Sequence, residues 1–116
     1  MPELPEVETV VLSIRDQLVG RKFININVYW PKVLFNFSKQ EFLDNLVRRN
    51  ITNVHRRAKF IVLSFEEDIL AIHLRMTGKL YFADSKTNEK HISASMELDN
   101  GQQLVFEDIR KFGRFY

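Results

Sequence analysis

Proline is the second residue of the chain, and Glu3 follows it directly. Removal of Met1 would turn the Pro2 nitrogen into a free secondary amine, and an α-amino group with a reference pKa of about 8 keeps a neutral, nucleophilic fraction at physiological pH. A secondary amine that attacks a sugar carbon forms a cationic iminium ion, while a neighbouring carboxyl group can transfer protons as a general acid or base. Pro2 and Glu3 together therefore suit covalent chemistry on a sugar.

The same residue types also have an ordinary structural explanation. Proline is common at the first position of a helix, where its missing N–H costs nothing. Acidic residues such as Glu6 are favourable in a first turn because the N-terminal end of a helix is positive. Taken alone, so short a motif favours the structural explanation.

Basic residues gather in three clusters at 48–49, 56–59 and 110–114, although the net charge of the whole chain is only +2. Such clusters are usually solvated surface. Phenylalanine, methionine and histidine lie within or near these clusters, and this mixture predicts a surface that follows the phosphates of a nucleic acid.

Two further blocks could act on an opened duplex. Met76 precedes Thr77 and Gly78, where a turn would push its side chain outward as a wedge, although a lone methionine is more often core filler. Arg110 and Phe112 lie two residues apart and would share one side of an extended stretch. The arginine could then hydrogen-bond an orphaned base while the aromatic ring enters the base stack.

The periodicity of apolar residues predicts two helices. Val7, Val11, Ile14 and Leu18 form one stripe of a helix over 5–19, which Gly20 ends. A capping box over 38–41 opens the second helix, whose last turn would contain the Arg48–Arg49 pair.

The remaining apolar residues mostly alternate with polar ones and predict strands. The predicted strands cover residues 24–30, 51–57, 60–65, 69–75, 79–82, 92–98 and 104–106. Asn100-Gly101 predicts a hairpin turn before the last of them. The fold class is therefore α+β, mainly β: an antiparallel β-sandwich of about eight strands, flanked by an N-terminal helix and a second short helix.

The composition excludes several classes of protein. A chain of 116 residues predicts a single domain. It contains no cysteine, which excludes disulfides and thiolate zinc sites. We find no apolar run of membrane-spanning length and no secretory signal, so we expect a cytoplasmic protein that is not bound to a membrane.

Four blocks of the chain resemble the formamidopyrimidine-DNA glycosylases, bacterial base-excision repair enzymes that remove oxidised purines. These blocks read PELPEVET at 2–9, RRAK at 56–59, HLRMTG at 73–78 and RKFG at 110–113. The resemblance implies that Pro2 is the nucleophile, that Glu3 is the general acid/base, and that Lys59 acts in DNA binding and β-elimination. Glu6 matches a further acidic position, for which a helix-capping role remains the better explanation.

The resemblance also implies a set of DNA-binding residues. Arg57 and Lys111 would contact phosphates, and Met76 would fill the space that a flipped nucleotide leaves. Arg110 would pair with the orphaned base and Phe112 would wedge into the stack. Two histidines complete the set: His91 would contact DNA, and His73 would either bridge to a phosphate or pack beneath the loop.

The resemblance extends over residues 1–116 but corresponds to only the first domain of the family. The helical domain with its helix–two-turns–helix motif and the zinc finger are absent from this sequence, so we expect no cofactor in this chain. We expect a monomer that binds double-stranded DNA with oxidised purines or abasic sites, with weak activity or none by itself. The alternatives are a glycosylase for oxidised pyrimidines like endonuclease VIII, whose usual opening is PEGPE where this chain has PELPE, and a noncatalytic DNA-binding domain.

Overall fold

The fold consists of two four-stranded antiparallel sheets with two helices. The structure is a computed structural model that describes residues 4–84 and 91–116. Its strands are β1 (Phe23–Val28), β2 (Asn53–Arg57), β3 (Phe60–Ser64), β4 (Ile69–His73), β5 (Gly78–Ala83), β6 (Ile92–Leu98), β7 (Gln103–Asp108) and β8 (Arg114–Phe115). One sheet has the order β1-β6-β7-β5 and the other β2-β3-β4-β8. The predicted mainly β fold with about eight antiparallel strands is confirmed.

Helix α1 (Leu4–Leu18) packs its predicted apolar stripe into the core between the sheets. Gly20 follows with φ +87°, a left-handed conformation that ends the helix as predicted. Two arginines attach α1 to β2: Arg15 Nε donates to the Val54 carbonyl at 2.8 Å, and Arg56 Nε pairs with Glu8 at 2.9 Å. The beginning of α1 therefore lies beside the end of β2.

Helix α2 (Lys39–Asn45) begins at the predicted capping box. The Ser38 hydroxyl accepts the Glu41 N–H at 3.0 Å, and the Glu41 carboxylate accepts the Ser38 N–H at 3.1 Å. The prediction that Arg48 and Arg49 occupy its last turn is wrong, because the helix ends at Asn45. Arg48 itself has φ +69° and cannot continue it.

Two strands end two residues earlier than predicted, for local reasons. Strand β1 stops at Val28, and Trp30 leads into a 3₁₀-helix over Pro31–Val33, where proline fits the first turn. Strand β4 stops at His73, because Arg75 has φ +57° and turns the chain out of the sheet. The Asn100-Gly101 hairpin is confirmed: β6 and β7 pair antiparallel, and Gly101 has φ +90°.

The core joins both sheets through aromatic packing. Phe23 of β1 stacks on Phe42 of α2 with ring centroids 6.0 Å apart, and Phe106 of β7 meets Phe115 of β8 edge to face at 5.2 Å. Side chains from both sheets and both helices belong to one buried cluster. The strand ends are thereby fixed relative to each other.

We predict that Ser38→Ala lowers the free energy of unfolding by about 1 kcal/mol, because the Glu41 N–H loses its acceptor. Urea denaturation monitored by circular dichroism would measure this loss. Ser38→Asp is the matched control, since its carboxylate can accept the same N–H. Equal losses in the two variants would contradict the capping role.

Candidate nucleic-acid interface

Three turns of the two sheets meet at one end of the sandwich, which we call the rim: residues 57–59, 74–77 and 109–113. The strand register brings them together. Phe60 pairs with His73, and His73 pairs with Arg114 on its other side. In the second sheet, Gly78 pairs with Asp108 at the base of the other two turns.

The rim collects two of the three basic clusters noted in the sequence. The prediction that all three share one surface is wrong for the Arg48–Arg49 pair. Arg49 lines a concavity with Glu66, Glu67 and Asp68 of the β3–β4 turn. That turn lies at the far end of β3, about 13 Å from Phe60 for a five-residue strand.

Each turn of the rim contains a residue in the left-handed backbone region: Ala58 (φ +52°), Arg75 (φ +57°) and Lys111 (φ +58°). Residues other than glycine reach this region at a cost, and such strain clusters at functional sites. Arg48 is the only other non-glycine residue with positive φ in the described part of the chain. Strained backbone therefore marks the three turns that carry the sequence motifs.

Apolar side chains project from the rim into solvent. Met76 is 52% exposed and Phe112 is 51% exposed. Together with Phe35, which is 65% exposed, they line a concavity whose other lining residues are Arg75 and Arg114. Exposed apolar tips between guanidinium groups suit insertion between bases while phosphates are held.

Arg110 contacts one of these exposed apolar residues, Met76. Its Nη1 lies 3.4 Å from the Met76 sulfur, so the turns 74–77 and 109–113 touch through these two side chains. The expectation that Arg110 and Phe112 lie in an extended stretch is wrong, because Lys111 has φ +58° and forms a turn between them. Both side chains are nevertheless exposed at the rim.

Lys111 packs against the chain's single tryptophan. Its Nζ lies 4.7 Å from the Trp30 ring centroid, a cation–π contact, and Lys32 Nζ lies 5.9 Å from the same ring. Arg114 Nη1 donates to the Lys111 carbonyl at 2.7 Å. The turn 109–113 is therefore held from outside by Trp30 and from within by Arg114.

His73 lies beneath the rim, which matches the second of the two predicted alternatives. It is buried, its ring meets Phe60 edge to face at 5.0 Å, and its Nδ1 accepts the Arg75 N–H at 3.0 Å. Burial lowers the pKa of His73, and the positive charges of Arg75 and Lys59 lower it further. A neutral His73 can accept this N–H; an imidazolium cannot.

The RRAK turn joins β2 to β3. Arg57 is exposed, whereas Lys59 is half-buried and close enough to His73 to affect the charge of its ring. Arg56 turns back to Glu8 and to the Ala58 carbonyl at 3.0 Å, so its guanidinium supports the turn. Pro2 and Glu3 lie outside the described residues, and Leu4 begins the helix whose first turns pack beside β2.

Sequence reasoning missed Asp108 and Phe35 as rim residues. Asp108 is fully buried at the end of β7 and accepts hydrogen bonds from both neighbouring turns. Its place is set by strand pairing across the chain, so only the DIRKFG string that contains it gave a local signal. Phe35 precedes α2 in an irregular segment, and its backbone N–H donates to the Phe115 carbonyl at 2.9 Å.

Gly113 packs too tightly for any other residue. A Cβ at this position would overlap the Phe106 ring and come within 3.1 Å of the Asp108 carboxylate. A Cβ on Gly78 would collide with the Leu74 backbone in the same way. Both glycines therefore permit close approach of the backbone to its neighbours beneath the rim.

His91, the first described residue after 84, lies beside this region. It immediately precedes β6, and its carbonyl accepts the Asp108 N–H at 2.8 Å. Residues 89–90 of its EKH string lie outside the described residues. Within 4–84 and 91–116, no group of three His, Asp or Glu side chains is arranged to hold a metal, and none of the described helices is long and apolar enough to cross a membrane.

A cationic rim with exposed apolar tips is typical of the class of nucleic-acid-binding domains. The comparisons with known proteins identify the family. The model of the formamidopyrimidine-DNA glycosylase N-terminal domain matches residues 1–115. The chain therefore belongs to this family, as the sequence motifs predicted.

Curated relatives and solved structures agree with this family. The formamidopyrimidine-DNA glycosylase of Chloroflexus aurantiacus is 47% identical over the whole chain and 42% of its own length. A complex of the Lactococcus lactis enzyme Fpg with abasic-site DNA matches with TM-score 0.91 and 34% identity over 98% of this chain and 42% of that one. A complex of wild-type Lactococcus lactis Fpg with DNA containing an oxidised pyrimidine matches with TM-score 0.90 and 34% identity. This match covers 98% of this chain and 43% of that one. The chain thus spans about two fifths of the length of these relatives.

We predict that His73 makes the folded state less stable in acid. The lowered pKa in the folded protein means that the unfolded chain takes up the proton first as the pH falls. The contribution of neutral His73 to the free energy of unfolding is therefore fully present above the ordinary pKa of 6.5 and declines as the pH falls through it. Urea denaturation between pH 7.5 and 5 should show a decline that His73→Gln reduces, because glutamine does not titrate.

His55→Gln is the control, since it removes a histidine from β2 of the same sheet. A pH profile that His55→Gln flattens as much as His73→Gln would refute the assignment.

Proposed function

We propose that this chain supplies the nucleophile and the lesion-probing surface of a bifunctional DNA glycosylase/AP lyase in bacterial base-excision repair. The observation that carries the proposal is the rim: three sequence motifs that are distant along the chain meet there, with Met76, Arg110 and Phe112 projecting between cationic side chains. The names of the relatives point to the same reaction.

The proposed DNA contacts follow from charge and exposure. Arg57 and Lys111 are exposed cations at the two outer turns and would neutralise phosphates, which supplies affinity without sequence readout. Met76 would occupy the space left by a displaced nucleotide. Phe112 would enter the stack from the neighbouring turn while the Arg110 guanidinium hydrogen-bonds the orphaned base.

The proposed chemistry begins at the N-terminus once Met1 is removed. The Pro2 nitrogen forms a bond to C1′ of the damaged nucleotide, and the base leaves with the electrons of the glycosidic bond and takes up the proton that the nitrogen loses. Glu3 donates a proton to the sugar ring oxygen as the ring opens, which gives an iminium cation between Pro2 and C1′. The cation withdraws electrons and makes the C2′ proton acidic.

Two eliminations would then cut the strand. Loss of the C2′ proton expels the 3′ phosphate, and a second elimination expels the 5′ phosphate. Lys59 is proposed to assist the first by contacting the phosphate. Two features support these roles: the first turns of α1 pack beside the RRAK turn, where Glu8 pairs with Arg56, and Lys59 is half-buried near His73.

The proposed substrates are oxidised purines and abasic sites in double-stranded DNA. The family's name and a solved neighbour bound to abasic-site DNA support this class. A second class, oxidised pyrimidines, is favoured by one observation: the Lactococcus lactis neighbour was crystallised with DNA containing an oxidised pyrimidine. Comparison of duplexes with 8-oxoguanine, formamidopyrimidine and an oxidised pyrimidine would rank the two classes.

We further propose that the 116-residue chain by itself acts as a monomer in the bacterial cytoplasm, binds DNA weakly, needs no cofactor and excises bases poorly. It corresponds to about two fifths of its relatives, so one rim would have to hold a duplex that a longer protein grips over more surface. An abasic site requires only an amine and modest positioning. A slow lyase reaction is therefore expected to survive.

We predict that borohydride traps a covalent adduct of the chain with abasic-site DNA, whereas excision of 8-oxoguanine is slow or undetectable. Pro2→Gly should reduce the trapped adduct strongly, since glycine replaces the secondary amine with a primary one. Intact mass must first show that Met1 is absent, because a retained Met1 makes the Pro2 nitrogen an unreactive amide. Gel analysis of the adduct gives the yield.

Lys59→Gln is the matched control for a second amine. An adduct that survives Pro2→Gly unchanged but disappears in Lys59→Gln would transfer the nucleophile to Lys59. Efficient excision of 8-oxoguanine by the 116-residue chain would contradict the proposed weakness.

We predict that duplex affinity falls as salt rises, with a negative slope of log affinity against log salt. Lys111→Gln should weaken binding to damaged and undamaged duplexes alike and make the slope shallower by about one unit, because it removes one phosphate contact. Fluorescence anisotropy at several salt concentrations would measure both. Lys39→Gln is the control, because Lys39 is exposed at the beginning of α2 and belongs to none of the three turns of the rim. Salt-dependent binding without any trapped adduct would identify a noncatalytic DNA-binding domain instead.

A further inference from the structure

A single buried carboxylate joins the two turns of the rim that carry the probing side chains. Asp108 is the last residue of β7 and has no exposed surface. Its Oδ1 accepts the Thr77 hydroxyl and the Arg110 N–H, the latter at 3.1 Å. Its Oδ2 accepts the Gly113 N–H at 2.7 Å. The carboxylate thus contacts turn 74–77 through one donor and turn 109–113 through two.

The main chain of Asp108 extends this network. Its N–H donates to the His91 carbonyl at 2.8 Å, and its carbonyl accepts the Lys111 N–H at 3.3 Å. The absence of a Cβ on Gly113 leaves space for the carboxylate, which a larger residue would crowd. One residue therefore connects both turns with the beginning of β6.

The energetics of a buried carboxylate make these hydrogen bonds interdependent. A buried polar group is costly unless its hydrogen-bonding capacity is satisfied. Among the residues that the structure describes, the side-chain partners of Asp108 are all neutral donors from the two turns. If one turn moves away, the carboxylate loses hydrogen-bond donors that no other described residue replaces. Each turn in its place therefore stabilises the position of the other.

The two turns also contain strained backbone that needs such support. Arg75 and Lys111 both have positive φ, and each flanks a functional tip, Met76 and Phe112. Strained residues persist only where the surroundings determine their conformation. The hydrogen bonds to Asp108 provide that determination at Thr77 on one side and at Gly113 on the other.

We propose that Asp108 is a positioning residue that couples the turns 74–77 and 109–113, so that Met76 enters a duplex together with Arg110 and Phe112 as one rigid unit. The 3.4 Å contact between Arg110 Nη1 and the Met76 sulfur joins the two turns at the surface, as this coupling requires. The DNA part of the proposal rests on the proposed function. The coupling between the turns does not, and it can be tested without DNA.

The first experiment measures the coupling in the protein alone. Thr77→Val removes the hydroxyl from one turn with little change of shape, and amide hydrogen exchange by NMR is followed at Arg110 and Gly113 of the other. Exchange at these two amides should rise about three- to tenfold, the effect of losing one ordinary hydrogen bond. Thr77→Ser retains the hydroxyl and should restore protection.

Ser95→Ala is the matched control for a general loss of stability. Ser95 is buried, and its hydroxyl accepts a hydrogen bond from Asn27 at 3.4 Å, away from the rim. Ser95→Ala should leave unchanged the exchange of the Arg110 and Gly113 amides relative to that of the β7 amides. Unchanged exchange in Thr77→Val, or the same rise in Ser95→Ala, would overturn the coupling.

The second experiment measures insertion into DNA. A duplex carries an abasic-site analogue with 2-aminopurine opposite to it, a base whose fluorescence rises when it is unstacked. At saturating protein and low salt, the wild type should raise the fluorescence. Asp108→Asn and Thr77→Val should give less than half of that rise, while their affinity for an undamaged duplex changes less than twofold.

Asparagine keeps the shape of Asp108 but replaces one acceptor oxygen by a donor that faces an N–H. If Asp108→Asn does not fold, Thr77→Val and its serine rescue decide the result. A full fluorescence rise in Thr77→Val would overturn the proposal. A wild type that binds without any rise would refute the proposed insertion of the rim, while the exchange experiment still decides whether Asp108 couples the turns.

Discussion

The antiparallel register at one end of the sandwich is the constraint on which the candidate site depends. Phe60 opposite His73, His73 opposite Arg114 and Gly78 opposite Asp108 bring together segments that lie up to about half the chain apart. Because side chains alternate with a period of two, a slip of one residue would turn each strand's buried face outward. The buried face of each strand therefore fixes the register, and the register fixes which turns are neighbours. The chemistry of the rim is in this sense a consequence of the core.

Aromatic packing carries this constraint to the surface. Four aromatic rings pack in a row, and the distances between neighbouring ring centroids are 4.9, 5.3 and 5.0 Å. The order of the rings is Phe35, Tyr116, Phe60 and His73. This row of rings leads from the exposed Phe35 to the buried His73, whose Nδ1 accepts the Arg75 N–H. The strained conformation at Arg75 thus rests on packed rings, which change shape little. A rim with exposed apolar tips can remain rigid only with such support, because the tips themselves bury little surface.

Local signals predicted those parts of the fold that local interactions determine. The capping box at Ser38, the stop at Gly20 and the turn at Asn100-Gly101 each depend on a few adjacent residues, and all three are confirmed. The placement of Arg48 and Arg49 in α2 failed because the helix ends at Asn45, and the left-handed Arg48 cannot belong to it. The extended geometry expected for Arg110 and Phe112 failed for the same reason at Lys111. Asp108 was missed because its partners come from two turns, and no local pattern reveals a shared acceptor. The roles of Pro2, Glu3 and Lys59 remain predictions.

The contact between Lys111 and Trp30 has a practical consequence. Trp30 is the chain's single tryptophan, so its ring dominates the intrinsic fluorescence of the protein. The ammonium group that lies 4.7 Å from its centroid belongs to the turn that carries Arg110 and Phe112. Any event that moves this lysine away from the ring changes the electric field on the indole. The wavelength and the intensity of the tryptophan fluorescence then change as well. The protein therefore contains its own optical probe of the turn, with no label attached.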